Sequence, residues 1–136
     1  MNTPVEKPVV TCFLEKEGRI LLLRRSDRVG SYRGCWAAVS GYMEQPAEKQ
    51  ALTEITEETG LRPADVELVR RGETLAVADD ALGVRWLVHP FLFHVKDASR
   101  LRTDWEHTEC RWVLPEELER YETVPGLAEA LDRVLI

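Results

Sequence analysis

Hydrophobic residues fall along this chain in short runs between charged turns, with one longer segment of helical period among them. Val9–Leu14 is mostly apolar or β-branched and predicts a strand. Glu15-Lys16-Glu17-Gly18 predicts a tight turn, and Arg19–Arg25, with its run Ile20-Leu21-Leu22-Leu23, the hairpin partner. Ser26–Gly34 reads as a polar loop, and Cys35–Val39 as a short strand closed by Ser40-Gly41. Pro46–Thr59 is the strongest helix. Pro46 suits a first helical position, Glu48 the positive N-terminal end, and Gly60 stands where a C-terminal cap belongs. Strands follow at Val66–Arg71, Thr74–Ala78, Val84–Val95 and Arg111–Leu114, then a helical turn at Pro115–Arg120 and a helix at Pro125–Val134. A helix embedded among more numerous strands predicts one α/β or α+β domain spanning residues 1–136.

The helix carries the candidate chemistry. Glu54, Glu57 and Glu58 stand at i, i+3 and i+4, within an arc of roughly 100°, while Ile55 and Leu52 lie on the other side. One face can dock on a sheet while the other presents three carboxylates. Like charges at this spacing destabilise a helix by a few tenths of a kcal/mol per pair, and no basic residue lies one turn away to relieve them. A solvated acidic face satisfies this pattern, and so does a divalent cation. Hard oxygen ligands select Mg2+, Mn2+ or Ca2+.

Composition and charge narrow the classes. The 136 residues are 44% hydrophobic and 31% charged, ordinary for a globular domain. The net charge of −6 argues against wrapping a long nucleic acid. The balance is uneven: residues 1–34 hold seven basic and four acidic side chains, and the remainder eleven and twenty. That layout suits a phosphate beside a metal, and equally an ordinary solvated surface. Cys12, Cys35 and Cys110 form no Cys-x-x-Cys spacing, so reduced thiols and a cytoplasmic location are expected. Met1–Pro8 lacks the apolar stretch of a signal peptide, and no run approaches the ~20 apolar residues of a membrane span.

Thr53-Glu54-Ile55-Thr56-Glu57-Glu58-Thr59-Gly60-Leu61 resembles the second half of the Nudix box, Arg-Glu-U-x-Glu-Glu-x-Gly-U with U aliphatic, at six of seven fixed positions. Gly18 through Arg25 resembles the hairpin before the box, and Trp36–Gly41 the strand and loop that lead into it. Trp105–Val113 followed by Pro115-Glu116-Glu117-Leu118 resembles a late segment common in that family. The first half of the box departs. Gln45 stands where the family has Glu, Val39 where it has Gly, and Gly41 arrives two residues late, so the loop is two residues short. Thr53 replaces the box arginine that helps orient the glutamates. Glu44 and Glu48 are the substitutes at hand for the missing upstream carboxylate.

The resemblance implies an α/β/α sandwich with a mixed central sheet. It also implies hydrolysis of a nucleoside diphosphate linked to another moiety, assisted by Mg2+ or Mn2+. Glu57 and Glu58 are then the first metal ligands, with Glu54 a third ligand or the group that orients water, and a main-chain carbonyl near Ser40–Gly41 contributing. Glu106 is the preferred general base, with Glu109 the other candidate. Arg25 resembles a phosphate-contacting position, ahead of Arg24, Arg28 and Arg33. Gly41 and Tyr42 join the substrate site, and Tyr42 and Trp86 are candidates to stack on a nucleobase. Trp36 and Trp112 read as core aromatics, and His89, His94 and His107 as structural or surface histidines. The expected partner is a nucleotide-type small molecule, and dimers are common in the family. A non-catalytic nucleotide-binding module and a prenyl diphosphate isomerase on the same fold are the competing readings.

Overall fold

The computed structural model describes residues 3–135. Residues 1, 2 and 136, which the single-domain expectation includes, lie outside the described residues. Strands β1 (Val5–Lys16) and β2 (Arg19–Arg25) form the expected hairpin. Its two-residue turn, Glu17-Gly18, has φ of 54° and 79°. Both central residues must be left-handed in the hairpin turn that matches strand twist, and glycine takes that conformation without penalty.

The centre of the sheet is a long parallel pairing of β1 with β7 (Val84–Val95), in register from Val5 opposite Val84 to Glu15 opposite His94. The other pairings between these strands are antiparallel, which makes the sheet mixed. Both long strands change partner along their length. On its other edge β1 meets β4 (Val39–Tyr42) at Val9–Cys12 and β2 at Glu15-Lys16. Likewise β7 meets β6 (Leu75–Asp79) first and β5 (Val66–Arg71) later. Strand β2 also pairs with β8 (His107–Val113) and with the two-residue β3 (Trp36–Ala37).

Helix α1 (Ala47–Thr59) packs Ala51 and Ile55 on one face of the sheet, against Cys12, Leu21, Leu23 and Phe91. Helix α2 (Leu127–Asp132) packs Leu127 and Leu131 on the other face, against Phe13, Leu22 and Val113. The unbroken run Ile20–Leu23 follows from this layering. Leu21 and Leu23 enter one core, Ile20 and Leu22 the other, and all four are at most 2% exposed. The expected α/β/α sandwich is the fold.

Several boundaries differ from expectation. Cys35–Val39 is not one strand, because the chain passes at Ala38 from pairing with β2 to pairing with β1. Strand β8 begins at His107 rather than Arg111, since its polar first half is held by β2 rather than by a core. The last helix is shorter than Pro125–Val134, because Gly126 adopts a left-handed φ of 79° at its N-cap. Pro46 caps α1 rather than opening it, and Gly60 closes it in the left-handed conformation, donating its N–H to Thr56 O at 2.9 Å.

Candidate active site

A cleft of about 590 Å³ opens between the β4–α1 connection, the Arg25 end of β2 and the loop before β8. It is lined by Arg25, Gly41, Tyr42, Glu54, Glu57 and Glu106. One sequence candidate does not face it. Glu58 is 1% exposed and lies beneath the cleft floor, so the expectation of three carboxylates on one open face holds for Glu54 and Glu57 only. The reason is angular. Glu58 sits beside Ile55 and Thr59 on the sheet-facing side of α1, whereas Glu57 points outward.

Burial dominates the electrostatics. Desolvation, reinforced by the adjacent Glu54 carboxylate, pushes the Glu58 carboxyl well above the usual glutamate range. The Ser40 N–H opposes this, donating to Glu58 Oε1 at 3.4 Å. Glu58 Oε2 has no hydrogen-bond partner. Glu54 is also raised, first by burial and then by Glu57, opposed by its interaction with the Glu58 carboxyl and by Gln50 Nε2, which donates to Glu54 Oε1 at 3.0 Å. Burial likewise raises Glu106, with Asp104 and Glu54 adding and Arg25 opposing.

Gly41 lets these parts approach. A Cβ there would overlap the Glu54 carboxyl group, so the close contact of β4 with α1 requires glycine. Arg25 stands at a register shift between β2 and β8, where the strand re-aims its side chain, and its Nε donates to Ser31 O at 3.0 Å. Glu106 is carried by a pinned loop: Ser26 N–H donates to Glu106 O at 2.7 Å and Ser26 Oγ to Trp105 O at 2.9 Å. Glu109, the other candidate base, is paired with Arg24 at 3.3 Å and lies outside the cleft lining.

Tyr42 is 55% exposed and tilts against Trp86, ring centroids 6.2 Å apart. Trp86 Nε1 donates to Tyr32 Oη at 3.0 Å, and Tyr32 Oη donates to Asp79. These rings form one cleft wall, whereas Trp36 is core, packed edge-on against Tyr121. Of the two proposed stand-ins for the upstream carboxylate, Glu44 lines the cleft and Glu48 does not.

Two residues that the sequence did not single out, Asp104 and Gln50, also belong to the site. Asp104 Oδ1 accepts from His107 Nδ1 at 3.0 Å and from Glu106 N–H at 3.2 Å. A carboxylate accepts only, so Nδ1 carries the ring proton. His107 Nε2 then faces Glu58 Oε1 at 3.7 Å. Burial lowers the His107 pKa and raises that of Glu58, so both shifts favour the neutral forms. His107 is therefore structural, as expected, but at the site. Gln50, the other, is 4% exposed. The i, i+3 spacing of Asp104 and His107 and the i, i+4 spacing of Gln50 and Glu54 were the available signals.

The departures from the box fit one another. Gln45 Nε2 donates to Thr53 Oγ1 at 2.9 Å, and Thr53 Oγ1 donates to Lys49 O at 3.1 Å. A neutral pair thus stands where the box has Glu and Arg. As the side chains stand, among the described residues no three acidic, imidazole or thiol groups converge to hold an ion. The donor set nonetheless fits a hard cation: a buried carboxylate oxygen without partner, and Glu54 and Glu57 beside it on one helix.

The sequence matches the NUDIX domain family over residues 5–134. The chain belongs to the Nudix family. Solved structures share its fold. The MutT protein from Methanosarcina mazei Go1 superposes with a TM-score of 0.78 at 20% identity, covering 98% of this chain and 95% of that one. A C. elegans Ap4A hydrolase gives 0.74 at 17% identity, covering 95% and 93%. A bifunctional NMN adenylyltransferase/ADP ribose pyrophosphatase from Francisella tularensis gives 0.77 at 14%, covering 97% of this chain and 41% of the other. Among curated proteins none matches the sequence significantly. At these identities the likeness carries the Nudix fold and not a substrate.

Proposed function

We propose that this Nudix protein is a single-domain, divalent-metal-dependent hydrolase that cleaves a diphosphate linkage in a nucleotide-type small molecule. The observation that carries this reading is Glu58 Oε2, a carboxylate oxygen buried without a partner beneath a cleft lined by Glu54, Glu57, Glu106 and Arg25. Such an atom is costly unless a ligand completes it. Glu54, Glu57 and Glu58 would hold Mg2+ or Mn2+, which neutralises phosphate charge and lowers the pKa of bound water.

The chain's own groups divide the remaining work. Arg25 at the cleft edge faces the phosphates, where a guanidinium can bind two oxygens at once. Glu106, with its pKa raised by burial, accepts a proton from the attacking water. Tyr42 and Trp86 offer a π-surface to a base or similar ring. The three cysteines are free, in keeping with the cytoplasmic location expected from the sequence. Among the described residues no helix is long and apolar enough to cross a membrane.

A panel of nucleoside triphosphates, dinucleoside polyphosphates and nucleotide sugars, incubated in Mg2+ and in Mn2+, tests the proposal by product identification. Metal-dependent release of a nucleoside phosphate from at least one member is expected. No turnover of any member in either metal contradicts it. That outcome favours the binding-module reading, whose support is the neutral Gln45–Thr53 pair standing where the box has Glu and Arg.

A further inference from the structure

The helix that carries the carboxylates also carries an amide that no solvated face would use. Gln50 is 4% exposed, and both ends of its side chain are engaged. Its Oε1 accepts from Glu44 N–H at 3.0 Å, and its Nε2 donates to Glu54 Oε1 at 3.0 Å. The orientation is unique. Exchanging O and N would set the NH2 against a backbone N–H and the carbonyl oxygen against a carboxylate.

We propose that Gln50 is the positioning residue for Glu54, supplying the orienting hydrogen bond that the box arginine, replaced here by Thr53, does not. This inference rests on the metal-dependent hydrolase reading of the cleft. Thr53 cannot serve, because its hydroxyl is committed to Gln45 and to the Lys49 carbonyl. Gln50 stands one helical turn before Glu54, so its amide and the carboxylate share a face. Its other end fastens the shortened loop at Glu44, whose side chain also lines the cleft. One residue therefore closes the loop onto the helix and fixes a carboxylate. A Cβ at Gly41 would overlap the same carboxyl group, so Glu54 is confined from β4 as well. The amide thus holds Glu54 by its Oε1.

The test is a cycle of Mn2+ dissociation constants, measured by calorimetry on wild type, Gln50→Met, Glu54→Gln and the double variant. Gln50→Met should weaken Mn2+ binding roughly tenfold, the scale of losing a hydrogen bond to a charged group. It should add little once Glu54 is already glutamine, because the two act as a unit. Equal weakening on both backgrounds overturns the proposal, since Gln50 would then act through the loop alone. A second variant covers a misfolded Gln50→Met. Gln50→Glu keeps an acceptor for the Glu44 N–H and withdraws the donor from Glu54. It should lower kcat at least about tenfold with little change in KM. An unchanged kcat overturns the proposal. A wild type that binds Mn2+ yet hydrolyses no panel substrate contradicts the hydrolase reading, and the affinity cycle still decides Gln50. A wild type that binds no Mn2+ overturns both.

Discussion

Glu58 carries an ionisable group into a position 1% exposed, beside a second carboxylate and a neutral imidazole. Its raised pKa has a stability consequence. The unfolded chain loses this proton near the ordinary value of 4.5, while the folded protein retains it to higher pH. The contribution of Glu58 is then complete below that value and is lost as pH rises through the folded pKa, at up to about 1.4 kcal/mol per pH unit. His107, whose pKa is lowered by burial, acts in the opposite sense around its ordinary value of 6.5. The Glu58 effect is therefore read as a difference between proteins. Without metal, Tm of wild type should fall relative to Glu58→Gln as pH rises from 5 to 8. Parallel curves in thermal melts would show that Glu58 is ionised in the fold.

A second expectation belongs to the same scale. Gln45 and Thr53 form one neutral pair, so Thr53→Arg alone strands the Gln45 amide and should destabilise by about 1 kcal/mol. Adding Gln45→Glu should recover most of that loss, since the pair is then a charged one. Denaturant titrations of both singles and the double would measure the coupling, and simple additivity would mean that the pair carries no energy.

At the scale of elements, the helix was legible because its period, its proline and its terminal glycine agree. The hairpin was legible because Glu17-Gly18 breaks two apolar runs with a turn that only particular residues tolerate. What the one-dimensional pattern hides is partner exchange. Cys35–Val39 reads as one strand, and only pairing with two different neighbours divides it at Ala38. The first half of β8 is polar and has no periodicity of its own. The site shows the same limit. The glutamates announced themselves by spacing, but the face each occupies depends on how α1 rests on β4 and β1. Gly41 sets that approach. Gly41→Ala should therefore displace Glu54, lowering kcat by at least about 100-fold as a misplaced site does. Circular dichroism should still show a folded protein. A folded variant with wild-type kcat would mean that the β4–α1 contact does not position the site.

For the molecule as a whole, two cores on opposite faces of one sheet hold the fold, and one of them reaches the cleft wall at Val88. Helix α1 serves core and cleft together: Ile55 packs inward while Glu54 and Glu57 line the opening. Stability and ligand binding are thereby coupled through one element. Mg2+ or Mn2+ should raise Tm by mass action, with a free energy of RT ln(1 + [L]/Kd). The double change Glu57→Gln, Glu58→Gln should abolish the rise, and a full shift in the doubly changed protein would place the ligands elsewhere.

The hydrolase proposal rests on a buried carboxylate oxygen without a partner beneath an acidic cleft. Its most direct measurement is Mg2+-dependent turnover of the best panel substrate by wild type and by Glu58→Gln. The substitution is nearly isosteric and neutral, so it preserves packing, removes the ability to become an anion and replaces one carboxylate oxygen with an NH2. A kcat lower by at least about 100-fold, in a variant whose metal-free Tm at pH 7 is no lower than wild type, is the expected result. A folded Glu58→Gln with wild-type kcat would contradict the account.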